Sequence, residues 1–92
     1  MIQVKLVNSD TPMKFDVRIQ EGNSESQHHV TLQQSTYTKL IGDHAINPEN
    51  LVNAAFQFLL EREPKEAILS KFDINVIATY FPDFEKKITA YF

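Results

Sequence analysis

Cysteine is absent from the 92 residues, which removes disulfides, thiol nucleophiles and thiolate metal ligands together. That absence fits a reducing compartment, and the cytoplasm is the expected location. Only two glycines occur, Gly22 and Gly42, so no glycine-rich loop is present to cradle a phosphate. No apolar run approaches the roughly 18 residues of a membrane-spanning helix, and no membrane partner is expected. The opening segment MIQVKLVNSD lacks the charged start and apolar core of a signal peptide, so none is expected. Neither sign of charge dominates. The net charge is −3 with acids and bases interspersed, which gives no general attraction for a polyanion. There is no internal repeat, and no G-x-S-x-G or S-x-x-K motif of a serine nucleophile.

What is present is organised around Ile46 to Leu69. Asn47 suits an N-cap, because its side-chain oxygen can accept an otherwise unpaired backbone N–H of the first turn. Pro48 falls at the first helical position, where a missing N–H costs nothing. Glu49 adds negative charge at the positive end of the helix dipole. Ile46 and Leu51 have the spacing of a hydrophobic staple. The helix that follows is apolar nearly all round, with Asn50, Asn53, Gln57 and Glu61 forming one narrow polar stripe. Such a helix is buried. It must end before Pro64, which disfavours helical geometry at Glu63.

Before it, Ile2, Val4 and Leu6 alternate with polar residues, as do Met13, Phe15, Val17 and Ile19, and each run predicts a strand with one buried face. Asn8 to Pro12 is a turn cluster, so the two strands form a hairpin. Glu21 to Gln27 is the most polar stretch and predicts a mobile loop, followed by a short third strand over His28–Leu32. Thr31 and Gln34 have the spacing of a capping box. A short helix burying Tyr37, Leu40 and Ile41 is then expected, ended by Gly42. After Pro64 short helices are expected over Pro64–Lys71, over Ile74–Tyr80 with Asp73 as cap, and from Pro82 onward. Phe72, Ile74 and Val76 also alternate, so a strand competes in 72–80, but Ile77-Ala78 breaks its pattern. The chain therefore reads as a single α+β domain, 1–92, with a small antiparallel sheet over 1–32 and helices over 33–92.

The segment FLLEREPKEAILSKFDINVIATYFPDFE resembles a family of short, uncharacterised prokaryotic proteins with EREPKE-like and YFP-like corners after an N-terminal sheet. The resemblance implies a fold and assigns no activity or functional residue. From His29 to Arg62 the order of strand, short helix, glycine turn and capped helix is similar to a ribbon-helix-helix DNA-binding unit, as in HicB-like antitoxins. That likeness is topological. It implies a strand in the major groove, with Gln27, His29 and Thr31 reading bases.

Each candidate site has a plainer reading. His28 and His29 are neighbours in a strand and point to opposite faces, so they cannot readily share a metal; adding Asp43 and His44 gives a conceivable site, but no ligand pair has i, i+4 spacing on a helix. Glu61, Arg62, Glu63, Lys65 and Glu66 hold carboxylates that acid–base chemistry could use, but a solvated helix junction with ion pairs is the expectation. Phe72, Tyr80, Phe81, Phe84, Tyr91 and Phe92, interleaved with Lys71, Lys86 and Lys87, could stack bases. Their helical spacing favours a core, with Phe81, Phe84, Tyr91 and Phe92 as the candidate patch for a protein partner. No catalytic residue, cofactor or metal ligand is assigned. The expected function is a non-enzymatic interaction or structural module that forms a homodimer or binds another protein. The alternative is a ribbon-helix-helix regulator or antitoxin, against which the absence of any Lys or Arg between Arg18 and Lys39 weighs.

Overall fold

The computed structural model describes residues 1–92. Strands β1 (Ile2–Asn8), β2 (Met13–Glu21) and β3 (Ser24–Leu32) form an antiparallel meander. The alternation predicted for β2 is realised: Phe15, Val17 and Ile19 are buried while Lys14, Asp16, Arg18 and Gln20 face solvent.

The expected loop at 21–27 is instead a tight hairpin. Glu21 pairs with Ser24, so only Gly22 and Asn23 lie outside the ladder. Gly22 adopts φ 58°, which suits the first central position of a two-residue hairpin turn. The strand was hidden because its inward residues at this end are Ser26 and His28, which carry no apolar alternation.

The capping box at Thr31 does not form. Thr31 remains in β3, and its hydroxyl donates to Asp73 Oδ2 at 2.5 Å. Gln33 starts helix α1 (Gln34–Ile41) without a side-chain cap, and Gly42 ends it with φ 54°. Leu40 is buried and Tyr37 and Ile41 are half-buried, with the Tyr37 hydroxyl donating to the Ile46 carbonyl.

Helix α2 (Pro48–Leu60) has the predicted start: Asn47 Oδ1 accepts from the Asn50 N–H at 2.8 Å and Pro48 opens the first turn. Leu51, Val52, Ala54, Ala55, Phe56, Phe58 and Leu59 are all buried, while Asn50, Gln57 and Glu61 are exposed. The chain itself covers this helix. The nearly all-round apolar surface of α2 is therefore buried without a second copy.

A 3-10 turn over Lys65–Ala67 replaces the helix expected there, and strand β4 (Lys71–Asp73) follows. β4 runs parallel to β3, pairing His29 with Lys71 and Thr31 with Asp73, and completes a sheet of order β1-β2-β3-β4. The expected Ile74–Tyr80 segment is helical, and of the competing strand only Phe72 and Asp73 are extended, as the end of β4. Asp73 ends the strand and caps the next turn, its Oδ1 accepting from the Asn75 N–H at 3.0 Å. A 3-10 turn over Ile74–Val76 leads into α3 (Ile77–Tyr80). The chain ends with α4 (Phe84–Lys87) and a 3-10 turn over Ile88–Tyr91, whose Phe84 and Ile88 enter the one core shared with α2 and the sheet. The fold is α+β. No helix is long and apolar enough to cross a membrane.

Candidate interaction surfaces

The C-terminal aromatics converge on Phe58. Phe84 lies edge-on to it at 5.0 Å between ring centres, Phe81 at 5.8 Å and Tyr91 at 6.0 Å. Edge-to-face contacts at such separations are favourable, because the positive ring edge meets the negative face. Phe84 is buried and cannot belong to a binding patch, which corrects the expectation from sequence. Tyr91 and Phe92 are half-buried, with the Tyr91 hydroxyl accepting from Arg62 Nη1 at 3.3 Å and the Phe92 ring 5.2 Å from that of His44. Of the four predicted patch residues, Phe81 lines the apolar groove between α2, β4 and α3.

The charged corner after α2 is a clasp. Arg62 lies over the Phe58 ring, donates to the Phe58 carbonyl at 3.1 Å and approaches Asp83 at 3.9 Å. Lys65 is only 5% exposed, with its ammonium 2.6 Å from Glu66 and 3.4 Å from Glu21, so it ties the corner to the β2–β3 hairpin. The Glu66 hydrogen bond and the Glu21 contact raise the Lys65 pKa against the opposing effect of burial. The same hydrogen bond holds the Glu66 carboxyl below its ordinary range. Glu61 and Glu63 form no ion pair.

The histidines separate as expected. His28 is buried, tilted 5.4 Å from Phe56, and held at both nitrogens. The Leu69 carbonyl, 2.7 Å from Nδ1, can only accept, so Nδ1–H donates to it, and Nε2 lies 2.9 Å from the Ser26 hydroxyl. His29 points outward, 2.6 Å from Asp16 Oδ1. No three His, Asp or Glu side chains converge as a metal site would require.

Gln27 and His29 lie on the open face of the sheet, with Thr31 half-buried beside them and bonded to Asp73. This face is of mixed sign, with Arg18 near Glu25 and His29 near Asp16. β3 is hydrogen-bonded to β2 on one side and β4 on the other. Over His29–Thr31 both edges of β3 are therefore taken within the chain, which leaves two of the three predicted base-reading residues, His29 and Thr31, no free edge for a DNA-reading ribbon.

An apolar concavity lies away from the open sheet face, beside the end of α2. A groove of about 350 Å³ runs between the end of α2, β4 and α3, with Leu59, Ile68, Phe72, Ile77 and Phe81 in its walls. Leu69 and Tyr80, 50% and 66% exposed, are its most exposed large side chains. Glu63 is the only non-hydrophobic lining residue. Leu69 was not a candidate from sequence, and Tyr80 and Glu63 were considered there only for base stacking and for acid–base chemistry, not as parts of one groove. Their signal was negative: Tyr80 lies off the Ile74, Ile77, Phe81 face of its helix, and Leu69 borders a strand that went unrecognised.

Comparison with known proteins places no relative beside this arrangement: no family model matches the chain, and no curated protein or solved structure is significantly similar to it.

Proposed function

We propose that this protein is a non-enzymatic interaction module whose groove between α2, β4 and α3 receives an apolar, basic segment of a partner protein. The observation that carries the reading is the groove itself, an apolar concavity bordered by exposed Leu69 and Tyr80. Exposed apolar side chains gathered at one concavity mark interaction sites, whereas scattered ones do not. Glu63 gives the occupant its charge. It is the single carboxylate in the wall and has no cation of its own, so a Lys or Arg flanking the apolar residues would complete it. A small polar ligand fits less well, because such sites orient their ligand with several convergent polar groups. Acid–base or nucleophilic chemistry is equally poorly served by one carboxylate among apolar walls. We place the module in the cytoplasm, in keeping with its cysteine-free chain.

Selection from a library of displayed random peptides tests this reading. Enriched sequences should carry apolar anchors next to Lys or Arg. Their binding should be lost on Tyr80→Ser and weakened, with reduced salt dependence, on Glu63→Gln. Enriched peptides that bind Tyr80→Ser as well as the parent would overturn it.

A further inference from the structure

The other edge of the sheet points to a second copy of this chain. β1 is an edge strand of seven residues with nothing paired along its outer side. Three of the five exposed large apolar side chains of the molecule, Met1, Leu6 and Val7, lie on it or at its end. The phase of its ladder fixes which backbone groups are free. The Gln20 N–H donates to the Met1 carbonyl at 2.9 Å, so Met1 and Gln20 form a hydrogen-bonded pair. Antiparallel pairs alternate between bonded and non-bonded. In the register Ile2–Ile19, Gln3–Arg18, Val4–Val17, Lys5–Asp16, the backbones of Gln3 and Lys5 therefore face β2. Those of Ile2, Val4 and Leu6 face outward with no partner.

We infer that two chains associate by antiparallel pairing of their β1 edges about a two-fold axis at Val4, so that Ile2 faces Leu6 of the second copy and Gln3 faces its Lys5. Only registers that place even-numbered residues opposite one another use the free N–H and C=O groups. Centring on Lys5 would set two ammonium groups face to face, which is unfavourable across a strand pair. Centring on Gln3 would place Leu6 beyond the start of the second copy's β1. The Val4 register avoids both. It uses all three free backbone positions on each strand, covers Leu6 with Ile2 and brings Met1 opposite Val7. Edge strands are commonly protected by charge or by bulges. Here the only charge on β1 is Lys5, which meets a neutral glutamine in this register, and the irregularity between Leu6 and Asn8 lies beyond the paired stretch. The product is a continuous eight-stranded sheet. Because β4 occupies the opposite edge, both grooves stay open at its two ends, and the inference does not depend on what they bind.

The absence of cysteine makes the test clean. Val4→Cys supplies the only thiol in the chain, and it would face its own copy at roughly 5.5 Å between Cα atoms, within disulfide reach. Mild oxidation should cross-link Val4→Cys several-fold faster than Ile2→Cys or Leu6→Cys alone. A mixture of those last two should give the mixed dimer in preference to either homodimer. Val4→Pro removes an N–H that makes no bond within the chain, so it should melt like the parent. It should remain at 10.6 kDa by light scattering at concentrations where the parent rises toward twice that mass. If Val4→Pro melts early, the cysteine series still decides. Equal cross-linking of all three single variants, or a parent that stays monomeric at millimolar concentration, would overturn the inference.

Discussion

The guanidinium carbon of Arg62 sits 3.6 Å above the centre of the Phe58 ring. Arg62 thereby closes one side of an aromatic cluster whose other members, Phe81, Phe84 and Tyr91, all come from the last twelve residues of the chain. Phe58→Ala should cost about 3–5 kcal/mol by emptying the centre of that cluster, and Phe56→Ala a similar amount. Arg62→Lys should cost up to about 2 kcal/mol, because an ammonium cannot stack and donate twice as the planar guanidinium does. Urea melts measure all three.

The C-terminal segment should be integral to folding. Phe84 and Ile88 are both buried, and burial of two such side chains contributes about 3–6 kcal/mol. That is comparable with the net stability of about 5–14 kcal/mol expected for a chain of this length. A chain cut before Pro82 should lose its cooperative transition in calorimetry. A sharp melt near the parent temperature would show the tail to be an appendage.

Stability should fall at both ends of the pH range, for reasons tied to named groups. Lys65 holds Glu66, and Lys87 holds Asp83, below their ordinary values of 4.5 and 3.8. Between folded and ordinary values the unfolded chain binds more protons, so these two contributions are present above the ordinary values. They are lost as pH falls through the folded ones. Lys65 is raised above 10.5, so its contribution is present below that pH and lost as pH climbs through the folded value. Melts across pH 2–12 should show both limbs, and Glu66→Gln should flatten each of them. Unchanged limbs in that variant would remove Lys65 and Glu66 as their source.

Duplex DNA should not bind at physiological salt. β3 is paired on both sides over His29–Thr31, and the lysines and arginine of the open sheet face are interspersed with Asp16, Glu25 and Asp73. Affinity for duplex rests mainly on phosphate neutralisation, so non-specific binding should be weaker than about 10⁻⁴ M. A fluorescence titration with random and genomic duplexes checks this. Sub-micromolar binding lost on His29→Ala would contradict it.

Much of the fold was legible because local chemistry and tertiary packing agree in those places. Asn47, Pro48 and the polar stripe of α2 act within one helix, so they could be read without knowing its neighbours. The alternation of β2 could be read because one face is apolar. β3 could not be followed past His28, because its inward residues there are a serine and a histidine whose polarity is satisfied by a carbonyl 41 residues away. The capping box at Thr31 failed for the same reason: its hydroxyl is claimed by Asp73, 42 residues on. β4 is three residues long and takes its identity from the strand beside it. The groove was illegible in turn, since Leu69, Phe72 and Tyr80 meet only once β4 has joined the sheet. The aromatic spacing correctly pointed to a core, and Phe84 was misplaced because an aromatic near a chain end carries no local mark of burial.

The groove is tested most directly by nuclear magnetic resonance titration of the labelled protein with a library-selected basic, apolar peptide. Backbone and side-chain resonances of Glu63, Leu69, Phe72, Tyr80 and Phe81 should shift and saturate together. Those of Gln27, His29 and Arg18 on the open sheet face should stay in place. Tyr80→Ser should abolish the shifts while leaving the rest of the spectrum unchanged. Saturable shifts confined to the open sheet face, with the groove resonances unmoved, would contradict the account.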